Sequence, residues 1–549
     1  YSQDIFIYKE LKLLKLLIRQ AELLSKKYDA VVANPPFSDS KYHCSVLKNF
    51  LSMEFKPYKR NLFSAFIYRC LSLTKNNGRN AYVTPFVWLY LDSYKDLRSQ
   101  ILNHNCIQNL VKPSYTSFFD SAIVQLVTFV IRKPIEDYIG TFFDLGYLTS
   151  SKLQPELLRE GINDKECKYK YYASSFNFIS IPGMPIAFSA KKRLRELFLE
   201  SESLGEIIPV RQGLATGDNN QFLKAWHEVS FSSCGFCLLD RDSAKLSMKK
   251  WFPYHKGGGF RKWYGNNEDL VNWADDGEAI RIFGTANGGR ARSRVQNSNF
   301  YFRPSVTWSL IADSSFGARY SSGGALFDIG GSSAFPESED HLWLTGFLCS
   351  KQVFEIMRIL NPTVNFQVGN VSALPLLRNK IKKYSEEINK TVSQLINFSK
   401  NDWDFYERSW EFQSPQLIRI SSDKNKTIES SYKALISQNK ITISEMKRLE
   451  EKNNQLFIDA YDLQNDLTPW IKNEEITLTI NPSYRYKGIL AEEERWDKFK
   501  SETITELISY AVGCMMGRYS LDHPGLILAD SRDKQEEHLS FYESKINKS

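Results

Sequence analysis

The chain has 549 residues, a hydrophobic fraction of 42% and a formal net charge of +8. Such a length exceeds what one hydrophobic core can hold and indicates several domains. The modest positive charge supports only a weak general preference for polyanions, and no uncharged apolar run reaches the roughly 18 residues of a membrane helix. Eight dispersed cysteines favour a reducing cytoplasm over a disulfide framework.

Residues 1–133 alternate helical and strand-like segments, which is typical of an α/β layer. Helices are predicted over residues 4–27 and 93–103, and strands over residues 28–33, 81–84, 107–111 and 124–132. A third helix carries Phe63, Phe66, Ile67, Cys70 and Leu71 on one face and is followed by a stop signal at residues 76–78. The pattern predicts half of a doubly wound, Rossmann-like sheet.

Three further regions follow in the chain. Residues 134–203 are predicted to be a connector with a turn at residues 181–185. Residues 204–378 are rich in Gly, Ser, Asn and aromatic residues, which indicates a mixed α+β domain with long loops. Residues 379–549 are predicted to be helical, because apolar residues recur at steps of three and four. The two predicted seams contain Ile381, Tyr384, Ile388, Val392 and Leu395, and then Leu435, Ile436, Met446, Leu449 and Leu456.

The tetrapeptide Asn34, Pro35, Pro36 and Phe37 follows the first predicted strand directly. A loop after a parallel strand lies at the sheet edge where open α/β folds bind ligands. Two prolines stiffen the loop, and the Asn34 carboxamide with a neighbouring carbonyl supplies two acceptors for one amino group. Since Phe37 offers a ring for stacking, the pattern predicts a pocket for an extruded adenine. A rigid loop without catalytic function is the alternative.

Two basic stretches lie in the predicted mixed domain. Cations interleaved with aromatic residues suit contact with a nucleic-acid backbone, and exposed arginines can also read guanine. A solvated charged face is the alternative interpretation. The candidate DNA-binding residues are Lys245, Lys249, Lys250, Lys256, Arg261 and Lys262 in the first stretch and Arg290, Arg292 and Arg294 in the second.

No metal site is expected. Cys234 and Cys237 have the spacing of zinc ligands, but His227 is the only further candidate close by in the sequence. A structural zinc site requires a second pair of ligands. Buried thiols are therefore the better interpretation.

Several segments together resemble a known family. Residues 34–37 resemble motif IV of amino-methylating DNA methyltransferases, and residues 61–66 (NLFSAF), 77–85 (NGRNAYVTP) and 118–124 (FFDSAIV) follow in the order of their γ class. Residues 209–219 and 361–370 resemble the opening and the close of a target-recognition domain. With residues 181–185, 302–306, 458–462 and 519–525, nearly the whole chain resembles the adenine-specific methyltransferases of BREX phage-defence systems.

The resemblance implies methylation of adenine N6 in a short DNA site, with S-adenosylmethionine as the methyl donor. It assigns Phe119, or Phe118 in an alternative register, to the second face of the flipped base. It also implies double-stranded DNA, other BREX proteins and a phage-encoded inhibitor as partners, no membrane, and a bacterial cytoplasmic location at the nucleoid.

One departure from the family is large, because no glycine-rich cofactor motif precedes residue 34. We expect that motif upstream of Tyr1, so that the chain is a C-terminal portion with little activity alone. The glycine-rich stretches at 256–260 and 284–289 are predicted to be loops near DNA. A fused restriction-modification enzyme and a DNA-recognition or interaction module without catalysis are the rival functions.

Overall fold

The computed structural model describes residues 2–114, 125–135, 138–146, 153–164, 166–312, 315–420 and 427–527. The chain forms two compact units. The first unit comprises Tyr1–Leu199 and Ile359–Pro362, and the second comprises Glu200–Arg358 and Thr363–Ser549. No helix in the described ranges combines the length and apolarity needed to cross a bilayer.

A six-stranded mixed sheet forms the centre of the first unit. Its strands are β1 (Tyr28–Ala33), β2 (Thr74–Pro85), β3 (Cys106–Lys112), β4 (Leu126–Arg132), β5 (Ile139–Asp144) and β6 (Lys170–Ser174). They are arranged in the order β1-β2-β4-β3-β5-β6. The pairs β1/β2 and β3/β5 are parallel and the other pairs are antiparallel. The predicted α/β class is confirmed, and all four predicted strands are present.

The stretch predicted as a connector contributes to this sheet. Both β5 and β6 come from residues 134–203, and β5 pairs with β3 while β6 forms an edge. Each strand has only five or six residues and follows a loop, so its periodicity in the sequence is weak. The stretch is therefore part of the first unit rather than a simple linker.

The stop signal predicted at residues 76–78 lies inside β2. Tyr28 pairs with Thr74 and Ala30 pairs with Arg79, so residues 75–78 bulge opposite Asp29. Glycine is required at position 78, since an added Cβ would lie 2.8 Å from the Asp29 carbonyl oxygen. The Asn-Asn-Gly sequence at residues 76–78 therefore bends β2 from within, and it does not lie before the start of that strand.

Helices make up much of the rest of the first unit. They are α1 (Ser2–Ser25), α2 (Ser45–Glu54), α3 (Leu62–Ser72), α4 (Lys95–His104), α5 (Gln154–Asn163), α6 (Phe176–Ile179) and α7 (Lys192–Glu200). In α3 the predicted face is correct at four positions, because Phe63, Ile67, Cys70 and Leu71 are buried in the core. Phe66, at the flank of that face, is 43% exposed.

The predicted turn at residues 181–185 is held by a buried arginine. Arg98 of α4 donates to the carbonyl oxygen of Gly183 at 2.7 Å and 2.9 Å, and to those of Trp88 and Leu91 at 2.8 Å and 2.7 Å. Burial lowers the pKa of Arg98 to about 10. Carbonyl oxygens therefore stabilise this cation inside the core.

Three small sheets and many short helices form residues 200–378 of the second unit. The strands are β7 (Glu202–Ser203), β8 (Val210–Arg211), β9 (Leu223–Ala225), β10 (Trp251–His255), β11 (Asp269–Asn272), β12 (Ser305–Trp308), β13 (Ala318–Ser321), β14 (Leu326–Phe327), β15 (Ser333–Ala334) and β16 (Pro375–Leu376). They form sheets in the orders β14-β10-β11-β9, β13-β12-β15-β8 and β16-β7. The mixture of helices and strands predicted for this region is present.

The remainder of the second unit is mainly helical. Its helices are α8 (Leu204–Ile207), α9 (Asn219–Phe222), α10 (Arg241–Leu246), α11 (Ala274–Arg281), α12 (His341–Leu348), α13 (Lys351–Leu360), α14 (Val368–Ser372), α15 (Arg378–Lys382), α16 (Ser385–Asp404), α17 (Gln416–Ile420), α18 (Ile428–Ala460), α19 (Pro482–Arg485) and α20 (Glu492–Met515). Helices α12 and α18 both pack on α16. The predicted seams are buried at Ile388, Val392, Leu395, Met446 and Leu449.

Candidate functional site

The Asn-Pro-Pro-Phe loop lies at one edge of the six-stranded sheet. Asn34 follows the last residue of β1. Since β1 and β2 are parallel, the end of β2 at Pro85 lies at the same edge, and Pro85 pairs with Leu126 at the start of the antiparallel strand β4. The ends of β1 and β2 and the start of β4 therefore meet at the edge predicted for a ligand site.

The loop presents polar and aromatic groups to its surroundings. Pro35 is buried, whereas Asn34 and Pro36 are exposed. The Phe37 side chain is 40% exposed. None of the described residues forms a hydrogen bond with the Asn34 carboxamide. The buried proline fixes the loop, and the amide oxygen of Asn34 is available as an acceptor.

Neighbouring residues hold the end of this loop. The Ser38 carbonyl oxygen accepts from the Leu62 backbone N–H at 3.0 Å and from His43 Nε2 at 3.0 Å. Asn61 caps α3 by accepting from the Phe63 N–H at 3.4 Å. The motif at residues 61–66 therefore opens a helix, as predicted, and also braces the loop. The sequence analysis did not predict these contacts. Asn61 could have been recognised as a residue type that caps helices, whereas no pattern in the sequence points to His43.

Phe118 and Phe119 lie outside the described residues. The strands on either side of their segment are described, and β3 is antiparallel to β4. The end of β3 at Lys112 and the start of β4 at Leu126 thus lie at the edge that carries Asn34. The role predicted for either phenylalanine remains a prediction.

The described residues do not provide a glycine-rich cofactor loop. Such a loop connects a strand to a helix. Gly257 and Gly258 follow β10, but the next strand or helix of the chain is β11. The stretch at residues 284–289 follows α11 and contains only a short 3-10 turn. No residue of this chain is therefore assigned to S-adenosylmethionine.

The second basic stretch forms a surface loop in the second unit. Arg294 and Ala215 exchange backbone hydrogen bonds of 2.8 Å and 3.0 Å, and the Arg292 N–H donates to the Phe283 carbonyl at 2.9 Å. The side chains of Arg290, Arg292 and Arg294 are exposed. Within the described part of the chain, none of these three arginines forms an ion pair. A fixed backbone thus presents three free cations.

A glycine allows the chain to approach this arginine loop. Gly217 has a φ of +79°, and an added Cβ would lie 2.8 Å from the Arg292 carbonyl oxygen. Both the left-handed backbone and the close approach exclude a larger side chain. Packing against the arginine loop therefore explains Gly217, whereas Asp218 caps α9 by accepting from the Gln221 N–H.

The lysines of the first basic stretch differ in their surroundings. Lys245 and Lys250 are exposed. Lys249 donates to the Ser232 carbonyl oxygen. Lys256 forms an ion pair with Asp328, with an N to O distance of 2.7 Å. These cations remain candidates for DNA contact, although the last two have protein partners.

The prediction for Arg261 and Lys262 requires correction. The Arg261 side chain is 3% exposed and pairs with Asp402 at 2.6 Å. The Lys262 side chain is 7% exposed and pairs with Glu450, which also accepts from Trp263 Nε1. Buried cations with protein partners cannot follow a DNA backbone. These two residues instead link the mixed region to the helical region within the second unit.

The cysteine pair does not form a recognisable metal site. Cys234 is buried and Cys237 is exposed, and both are thiols. In the described ranges, no group of three or more His, Cys, Asp or Glu side chains is arranged to hold a metal ion.

Part of the first unit is similar to a known protein family. Residues 5–119 match the family described as Eco57I restriction-modification methylase. This match includes the exposed Asn-Pro-Pro-Phe loop, α3 and β2. The segment that carries the candidate catalytic loop is therefore related to the methylases of restriction-modification systems.

Over most of its length, the chain is similar to adenine-specific methyltransferases. It is 34% identical to adenine-specific methyltransferase PglX of Lacticaseibacillus casei (strain Zhang), over 94% of this chain and 42% of that protein. It is 32% identical to adenine-specific methyltransferase BrxX of Escherichia coli O9:H4 (strain HS), over 94% of this chain and 41% of that protein. The resemblance to PglX inferred from the motifs is confirmed, and the chain spans about two fifths of the length of these relatives.

One solved structure that aligns with this chain is that of the Type IIL restriction-modification enzyme MmeI in complex with DNA. The alignment has a TM-score of 0.47 and 13% sequence identity, and it covers 82% of this chain and 56% of that chain.

Proposed function

We propose that this chain carries the adenine-binding loop and the DNA-recognition region of a site-specific DNA adenine N6-methyltransferase of a BREX phage-defence system. One observation carries the proposal. An Asn-Pro-Pro-Phe loop lies at the edge of the sheet, with a carboxamide that no described residue engages, in a chain similar to adenine-specific methyltransferases. The methyl donor is S-adenosylmethionine, which supplies an electrophilic methyl group when bound.

The loop suits the recognition of an exocyclic amine. The Asn34 amide oxygen and a neighbouring proline carbonyl accept the two N–H bonds of the adenine amino group. The nitrogen lone pair is thereby directed away from the protein and toward the incoming methyl group. Phe37 stacks on one face of the extruded base, and Phe119 is assigned to the other face. Holding the amino group in this position supplies a large part of the rate acceleration of methyl transfer.

Replacement of the candidate catalytic amide tests this assignment. In the whole protein, Asn34→Ala removes one of two acceptors for the amino group, and we expect methylation of adenine in DNA to fall by roughly 100-fold or more. Asn103→Ala is the matched control, because the side chain of this exposed asparagine bonds only to Ser99 of α4 among the described residues. Sequencing of methylated bases in host DNA measures the effect. Equal methylation by both variants and wild type would refute the catalytic assignment.

The arginine loop is the proposed contact with double-stranded DNA. Each lysine or arginine that neutralises a phosphate releases counterions, so affinity falls as salt rises. Replacement of Arg290, Arg292 and Arg294 by Ala should weaken binding and flatten the salt dependence by roughly one unit of slope for each lost phosphate contact. A control variant removes the same charge from exposed positions of α1, with Lys9, Lys12 and Lys15 changed to Ala. Identical slopes for the two variants would place the arginine loop away from DNA.

A fused restriction and modification enzyme is the second candidate function, because the matching family is one of restriction-modification methylases. Incubation of the whole protein with unmethylated DNA and Mg²⁺ distinguishes the two functions. Cleavage would favour the fused enzyme, and methylation without cleavage would favour the BREX assignment. A binding module without catalysis would show neither activity. Other BREX proteins and a phage-encoded inhibitor are the proposed protein partners, to be tested by co-purification from the host.

A further inference from the structure

A large cavity lies in the second unit, far along the sequence from the candidate catalytic loop. Its volume is about 770 Å³, and it is lined by residues of α16, α17, α18, α19 and α20 and by the turn at Gly259. Sites for small organic ligands usually have volumes of roughly 300–1,000 Å³. The cavity is therefore large enough for a ring system that carries further groups.

Aromatic side chains form much of the cavity wall. Phe405, Tyr406, Phe412 and Phe499 all line it. Such rings bind planar groups by offset stacking or by edge-to-face contact. Hydroxyl and amide groups of Gln416, Thr503 and Ser509 also line the cavity and can bind a polar group such as a sugar. The wall thus suits a flat heterocycle attached to a polyhydroxylated portion.

Arg408 supplies a positive charge to the cavity lining. Its guanidinium lies 4.0 Å from the centroid of the Trp403 ring and donates to the Thr479 hydroxyl. Among the described residues, Arg408 has no carboxylate within ion-pair distance, and its Nε has no hydrogen-bond partner. Burial and the nearby Arg261 lower the pKa of Arg408, which reflects the cost of an unpaired cation at this position.

The other charged groups of the lining are largely compensated. Arg261 pairs with Asp402 at 2.6 Å, and Arg485 pairs with Glu506 at 2.9 Å. Burial raises the pKa of Glu407, while the nearby Arg518 and a hydrogen bond with Tyr519 oppose that shift. Glu268 is exposed at the rim, and Lys487 lies over the rings of Phe260 and Tyr484. Asp402 and Glu268 act on Arg408 through their charge but do not pair with it, so an anion that reaches Arg408 finds its guanidinium without an ion-pair partner among the described residues.

We propose that this cavity binds a nucleotide, with its base against the aromatic wall and its phosphate at Arg408. Guanidinium groups bind phosphate through paired, charge-assisted hydrogen bonds. The nucleotide is either free or part of a nucleic-acid strand. The cavity belongs to the second unit, whereas the proposed adenine-binding loop belongs to the first.

Calorimetric titration of the whole protein tests the proposal. S-adenosylmethionine is kept at saturation so that the methyl-donor site is occupied, and the probes lack adenine. Guanosine monophosphate, guanosine, inorganic phosphate and a short oligothymidine strand are titrated separately. We expect the mononucleotide to bind more tightly than guanosine or phosphate alone, since only the nucleotide engages both the rings and Arg408. The oligothymidine titration shows whether a strand can supply the nucleotide.

Two variants connect such binding to this cavity. Arg408→Met retains a long side chain without charge and should weaken nucleotide binding by roughly tenfold or more. Gly259→Trp should block the cavity, because a Cβ added at Gly259 meets no atom within 4 Å. Gly259→Ala is the matched control and should bind as wild type does. Circular dichroism establishes that each variant is folded.

The outcome is decided by the two variants. Binding of the mononucleotide or of the strand that is lost in Gly259→Trp and weakened in Arg408→Met supports the proposal. Absence of saturable binding in the wild type refutes it, as does binding that both variants retain.

Discussion

Asp402 is expected to stabilise the second unit more than any exposed ion pair of the chain. Its carboxylate accepts from Arg261 at 2.6 Å, from the Thr479 N–H at 2.8 Å and from the Ile480 N–H at 2.9 Å. The Asp402 and Arg261 side chains are 1% and 3% exposed. Asp402→Ala would therefore leave a buried guanidinium and two buried backbone donors without these acceptors.

The expected loss of stability follows from that geometry. An unpaired charge left in the interior costs about 3–5 kcal/mol. Each backbone N–H without a partner adds about 1 kcal/mol or more. The free energy of unfolding should thus fall by about 5 kcal/mol, which approaches the total stability of many domains.

Urea unfolding followed by tryptophan fluorescence measures this loss. Glu429→Ala is the control, because Glu429 pairs with Lys433 on the surface of α18, where the two side chains are 76% and 73% exposed. The control should lower the free energy of unfolding far less than Asp402→Ala does, because solvent screens an exposed ion pair. Arg261→Met combined with Asp402→Ala should be more stable than Asp402→Ala alone, since the unpaired charge is then removed. A cost for Asp402→Ala no larger than that of the control would refute the reasoning.

Two further predictions concern a buried histidine and a helix cap. Burial lowers the pKa of His255 from 6.5 to about 4. The unfolded chain binds this proton at a higher pH than the folded protein does, so wild type should lose about 2 kcal/mol of stability between pH 7 and pH 5 through this residue. His255→Gln should show a smaller loss in urea unfolding at the two pH values, and an identical loss would contradict the prediction. Asn61→Ala removes the cap of α3 and should cost about 1 kcal/mol, whereas Asn61→Asp should retain most of it. Thermal unfolding compares these two variants, and equal midpoints would show that the cap contributes nothing.

Local patterns in the sequence predicted much of the first unit. The strand before Asn34, the helix that begins after Asn61 and the strands that flank residues 115–124 are all present. These elements have a clear period of two or 3.6, which depends on neighbouring residues alone. The short strands β5 and β6 were missed because their pairing with a distant strand, rather than their own pattern, stabilises them.

Part of the structure of the candidate loop could be predicted from the sequence. Its position after a strand and its stiffness follow from the residue order. The bracing of Ser38 was not predicted, because Leu62 at the start of α3 is distant from it in the chain, and His43, although only five residues away, belongs to no recognisable local pattern. The same limit applies to Gly217, whose need for a small residue comes from its contact with Arg292.

The sequence by itself determined the types of residue available, the periodic elements and the site of the stiff Asn-Pro-Pro-Phe loop. Only the tertiary structure decided which cations are free. Arg261 and Arg292 both lie in basic stretches, yet one is buried against Asp402 and the other is exposed. The partner of Arg261 is 141 residues away along the chain. Burial and ion pairing are set by such distant contacts, and therefore charge in the sequence does not reveal which side chains can reach DNA.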